Sequence, residues 1–64
     1  MDMKFKTIIE GGTNTHKTIN EVVDHVEDMA HFEVDSVALS GDLKRLDVYE
    51  TIELRGDCVI ERIA

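Results

Sequence analysis

Three histidines, His16, His25 and His31, and a single cysteine, Cys58, are the side chains in this 64-residue chain that could ligate zinc or copper. Such ions need several ligands whose lone pairs converge, commonly two histidines one helical turn apart or closely spaced cysteines. His25 and His31 are six residues apart, which separates them by about 120° around a helix. The spacing therefore predicts surface or rim histidines and no metal site. Cys58 follows a Gly56-Asp57 turn signal and has no histidine beside it in sequence to draw off its proton, so it reads as a structural thiol rather than a nucleophile.

The carboxylates are numerous but scattered over polar positions, and no pair of them stands in an apolar setting that would separate an acid from a base. No catalytic residue is assigned, and a non-enzymatic protein is expected. Glu50 is the exception in pattern, because it falls in the apolar phase of Leu46, Val48, Ile52 and Leu54. Enclosed there, its carboxylate would have to find a donor or have its pKa raised. A bulge or strand break near Tyr49-Glu50 would turn it outward instead. Asp24, Glu27 and Asp28 gather on one side of a predicted helix, where they could imitate a row of phosphates for a basic protein or simply be solvated. Arg55-Gly56-Asp57 spells an integrin-recognition tripeptide, and a tight turn explains it. Gly11-Gly12 ahead of Thr13 and Thr15 matches neither the dinucleotide nor the P-loop glycine pattern.

The elements that must position these residues are read from periodicity. Met3, Phe5, Thr7 and Ile9 alternate with Lys4, Lys6, Ile8 and Glu10, the two-residue period of a strand that ends at Gly11-Gly12. A polar loop, Thr13 to Lys17, is expected next. Thr18-Ile19-Asn20-Glu21 has the form of a capping box, and Ile19, Val22, Val23, Val26, Met29 and Ala30 follow the apolar spacing of an amphipathic helix. Phe32, Val34, Val37 and Leu39 suggest a second strand, stopped at Ser40-Gly41-Asp42. Leu46 to Leu54 carries the longest two-residue period, and Gly56-Asp57 reads as a two-residue hairpin turn returning through Cys58, Val59, Ile60 and Ile63. The expected fold is α+β: a single helix packed across a three- or four-stranded antiparallel sheet in the order β-α-β-β, with residues 1–64 as one domain.

A core of this size barely offsets the entropy of ordering the chain, and one cysteine offers no internal disulfide, so self-association is the expected source of extra stability. One helix covers one sheet face, and Ile8, Tyr49 and either Val59 or Ile60 are expected on the other. Fourteen acidic against seven basic residues give a net charge of −7, which disfavours direct contact with nucleic acid or an anionic membrane and favours basic or uncharged partners. No apolar run approaches the roughly 20 residues of a membrane span. With no signal-peptide pattern and one unpaired thiol, a cytoplasmic location is expected.

The order of parts, with Gly12-Thr13 after a Lys-rich strand, then a capped helix, His31-Phe32-Glu33-Val34 and a later strand containing Tyr49-Glu50, resembles the dodecins. These are small β-α-β-β flavin-binding proteins that assemble into hollow dodecamers. The resemblance implies self-association and a flavin-like ring held between subunits near His31 and Glu50. His31 stands where the family places a ring-stacking tryptophan, and Glu50 stands near its flavin-bonding glutamine. Two functional expectations result. One is a non-catalytic, self-associating binding module for a small aromatic ligand. The alternative is a small acidic inhibitor, of the kind encoded by phages and mobile elements, that uses Asp24, Glu27 and Asp28 to block a basic surface on a nucleic-acid-binding protein.

Overall fold

The computed structural model describes residues 3–30 and 32–64. Among the described residues six elements succeed one another: β1 (Phe5–Ile9), β2 (Gly12–His16), α1 (Ile19–Met29), α2 (Ser36–Arg45), β3 (Thr51–Leu54) and β4 (Cys58–Arg62). The strands form one antiparallel sheet in the order β2-β1-β4-β3, so the first and last strands of the chain's two hairpins sit side by side at its centre. This is an α+β fold, but with two helices and the order ββααββ rather than the single-helix β-α-β-β arrangement expected from the sequence.

The alternation in β1 is the one the sequence predicts: Phe5, Thr7 and Ile9 are buried, and Lys6 and Ile8 lie on the other face. The next segment departs from expectation. Glu10 and Gly11, at φ 51° and 83°, make a two-residue turn with successive left-handed residues, the geometry whose twist suits a tight hairpin. Ile9 pairs with Gly12, and the expected polar loop becomes β2. Its exposed Thr13, Asn14 and Thr15 bury little apolar surface, so the strand is held by its ladder to β1 and leaves only a faint hydrophobic signal.

Helix α1 begins as predicted. The Thr18 side chain accepts from the Glu21 N–H at 3.1 Å, while the Glu21 carboxylate reaches back to the Lys17 N–H. Val22, Val23 and Val26 are its buried stripe. The second predicted strand, Phe32 to Leu39, is overturned. Asp35 caps a helix by accepting from the Ala38 N–H at 3.1 Å, and Leu39 and Leu43, one turn apart, are buried while Val37 is 82% exposed. Gly41 lies inside α2 rather than stopping a strand.

The longest predicted strand is also shortened. The Glu50 N–H donates to the Asp47 carbonyl in a turn where Tyr49 has φ 72°, and regular pairing starts only at Thr51. Leu54 pairs with Cys58, so the β3–β4 turn has three residues, Arg55, Gly56 and Asp57, instead of two. Both helices cover one sheet face, enclosing Phe5, Val22, Val26, Leu39, Leu43 and Ile60 in one core. On the opposite face Ile8 and Val59 lie side by side, half-buried, among Thr13, Thr15, Lys6, Glu61, Thr51 and Glu53. Ile60 points into the core and Tyr49 stands 77% exposed in its turn, so neither joins that face. No helix among the described residues is long and apolar enough to cross a membrane.

Candidate protein-docking surface

Glu50 is exposed. Its carboxylate accepts from the Asp47 N–H at 2.8 Å, and its backbone carbonyl accepts from the Arg62 N–H, so it closes a surface turn instead of entering an enclosed site. His31 lies outside the described residues. Asp24, Glu27 and Asp28 are all exposed on α1. Asp24 and Glu27 flank a groove between the helices, facing Val37 and Lys44 across about 570 Å³, whereas Asp28 is not among its lining residues.

The histidine pair that the fold brings together is His16 and His25, which sequence spacing did not suggest. Their rings approach to 4.8 Å between centroids, one at the end of β2 and one on α1. His16 Nε2 is 3.0 Å from Thr7 Oγ1, and His25 Nε2 is 3.4 Å from Asn14 Nδ2. Burial, and secondarily the charge of His25, push the His16 pKa down, with Glu21 opposing. Among the described residues no group of three or more His, Cys, Asp or Glu side chains is placed to hold a metal ion. Cys58 is 1% exposed, and burial pushes its thiol pKa up, away from the nucleophilic thiolate.

A second groove, of about 580 Å³, opens between α2 and β3. Its apolar lining comes from Phe32, Val34, Leu39 and Leu54, with Glu33, Asp35, Asp42 and Arg55 around it and Glu53 at the adjoining strand edge, its side chain toward the outer sheet face. Asp35 is engaged as the α2 cap and Asp42 pairs with Arg45 at 3.1 Å. Glu33 and Glu53 have no ion-pair partner among the described residues. Sequence reasoning missed this groove because it missed α2. The signals were Asp35 three residues before Ala38, Leu39, Leu43 and Leu46 at helical spacing, and Lys44-Arg45 where cations favour a helix C-terminus.

The same groove borders an unpaired strand edge. Ile63 donates to the Lys4 carbonyl and Glu10 to the Asp57 carbonyl, so the odd-numbered residues of β4 turn their backbone groups toward β1. Cys58 and Ile60 therefore bond β3 through their registered partners Leu54 and Ile52. Thr51 and Glu53 turn N–H and C=O away from the sheet. Comparison with protein-family models, curated proteins and solved structures finds no match to this chain.

Proposed function

We propose that this chain is a non-catalytic protein-binding module that offers carboxylates to a basic partner. The observation that carries the reading is the composition of two of the grooves that flank α2. Each sets carboxylates beside exposed or half-buried apolar side chains, Asp24 and Glu27 about Val37 on one side, Glu33 beside Phe32 and Leu54 on the other, with Glu53 on the outer face of the adjoining edge. Apolar side chains are common on any protein surface; here they share concave grooves with carboxylates. Protein interfaces combine the two, with apolar contact supplying affinity and charge supplying choice of partner and speed of encounter.

The net charge of −7 fits the same reading, since it repels nucleic acid while drawing basic proteins. The inhibitor-like role, occupying a surface that a nucleic-acid-binding protein would use for phosphates, is the form of this activity best suited to so small and acidic a chain. The test is affinity capture with the wild-type chain beside two variants, Asp24→Asn/Glu27→Gln/Asp28→Asn and Glu33→Gln/Glu53→Gln. Basic proteins should be enriched by the wild type and depleted from at least one variant that keeps its circular dichroism spectrum. Identical capture by all three chains would sink the proposal.

A further inference from the structure

We propose that a basic, extended peptide segment adds to the open edge of β3 as a fifth strand and seats alternate apolar side chains in the groove between β3 and α2. The inference rests on the protein-binding reading above and names the mode of recognition and the chemistry of the partner. Three independent features of the edge converge on it. Thr51 and Glu53 present unpaired backbone donors and acceptors, the template onto which another strand adds. On the helix side of that edge, Phe32, Val34 and Leu54 form the apolar lining where every second side chain of an added strand would point. Glu33, Asp35 and Asp42 rim the groove and Glu53 stands on the outer face of the same edge, against Arg55 and the Arg45 that pairs with Asp42, a surplus of negative charge that selects lysine or arginine in the incoming segment.

The opposite edge of the sheet shows why the partner chooses β3. By the same ladder alternation, Thr13 and Thr15 of β2 also turn their backbone groups outward. Gly12–His16 carries no carboxylate, however, and its helix-side neighbours are Asn14 and the His16–His25 pair. Backbone valences alone are therefore available at both edges, while the apolar lining and the negative rim occur together at β3. A strand rises about 3.3 Å per residue, so a segment of about five or six residues spans β3 with its flanks on the acidic rim.

In an antiparallel addition, residues opposite Thr51 and Glu53 share their side-chain direction, toward the outer sheet face, and supply the paired backbone groups. Those are the cationic positions. The apolar ones lie opposite Ile52 and Leu54 and face the groove. Parallel addition exchanges the roles, with the groove-facing residues supplying the bonds.

The probe is an eight-residue peptide alternating lysine and valine, blocked at both ends and titrated into the isotopically labelled full chain by NMR. Saturable shifts should concentrate on Thr51–Arg55 and Phe32–Leu39. One peptide N-methylated at its lysine nitrogens and another at its valine nitrogens separate the directions. Loss of about tenfold or more in affinity for the first alone gives antiparallel addition, and for the second alone gives parallel addition. Glu53→Pro removes an outward N–H without touching the β3–β4 ladder and should weaken binding by a similar factor, whereas Thr13→Pro on the other edge should not. Because the N-methyl peptides leave the protein unaltered, the test does not depend on either proline variant folding.

Equal affinity of all three peptides, shifts centred on Asp24, Glu27 and Asp28 or on β2, or no saturable shift at millimolar peptide would each overturn the strand-addition site. Capture of basic proteins lost in the Asp24/Glu27/Asp28 variant, alongside any of these, would leave the broader basic-partner function standing without this mode.

Discussion

Thr7 turns a hydroxyl into the helix-covered side of the sheet with 0% of its surface exposed, and the His16 imidazole is the group that meets it, 3.0 Å away. That contact explains how a polar residue occupies the apolar phase of β1 between Phe5 and Ile9: the adjacent strand delivers a partner through a cross-strand diagonal. Removing the partner is worse than removing both. His16→Leu should cost about 1–3 kcal/mol by leaving the buried hydroxyl unsatisfied, and adding Thr7→Val should recover part of that loss in a double-mutant cycle read by urea denaturation. The same histidine gives the stability a pH dependence of defined sign. Burial, and then His25, lower its folded pKa below the ordinary 6.5 against the opposing charge of Glu21. The folded state therefore binds fewer protons, so this contribution is intact above about 6.5 and is lost as pH falls through that value toward the folded pKa. Between pH 7.5 and 5.5 the His16→Leu/Thr7→Val protein should lose less of its stability than the wild type does. An equal loss in both would show that His16 does not set the slope.

At the scale of elements, α2 illustrates how tertiary packing decides between two periods. Val34, Val37 and Leu39 fit a broken strand as well as Leu39, Leu43 and Leu46 fit a helix, and Gly41 looks like a terminator. Asp35 capping the helix and burial of Leu39 and Leu43 beneath it settle the choice. Gly41 is then a cost, since glycine loses more backbone freedom than alanine in a helix. A Cβ built there would meet only the Arg45 Nη2 at 3.7 Å, ordinary contact with a flexible side chain. Gly41→Ala should stabilise the fold by about 0.5–1 kcal/mol. Gly11 makes the opposite case. It has open space around it but φ 83°, so Gly11→Ala should destabilise by about 1 kcal/mol through backbone strain alone. Thermal melts check both placements: the two variants should move in opposite directions, and a shared direction would mean that the helix or the turn is misplaced.

Over the whole molecule the dominant long-range quantity is the charge of −7, spread on a small body of Cα radius of gyration 10.5 Å. Like charges at such separations oppose compaction, and added salt screens them as the Debye length falls from about 30 Å at 0.01 M to about 8 Å at 0.15 M. The melting temperature of the free chain should therefore rise over that range. Capture of a basic partner should weaken over the same range, because there the carboxylates face opposite charge. Asp24→Asn/Glu27→Gln/Asp28→Asn should flatten the first dependence by removing three of the charges. A melting temperature that falls with salt would mean that the attraction between Lys6 and Glu61, 3.4 Å apart, and pairs like it outweigh the net repulsion.

The sequence alone determined whatever rests on local chemistry. The alternation of β1, the Thr18 cap and apolar stripe of α1, the return strand through Cys58 and Ile60, the α+β class and the acidic balance were all legible, because each is written in neighbouring residues. Tertiary structure decided what depends on contacts distant along the chain. A polar segment became β2 because β1 offered it a ladder, and Ser36 to Arg45 became a capped helix because Leu39 and Leu43 could reach the core. Glu50 left the apolar phase because the 47–50 turn interrupts the strand before Thr51; the sequence offered a strand break near Tyr49-Glu50 as one of two readings, and the turn's own contacts decided between them. The groove beside β3 exists only once α2 is a helix and β3 is an edge, and an edge is a property of strand order. Strand order comes from pairing β1 with β4 across nearly the whole chain, a choice made by joint burial of Phe5, Ile9, Cys58 and Ile60 rather than by any of those residues in its own neighbourhood.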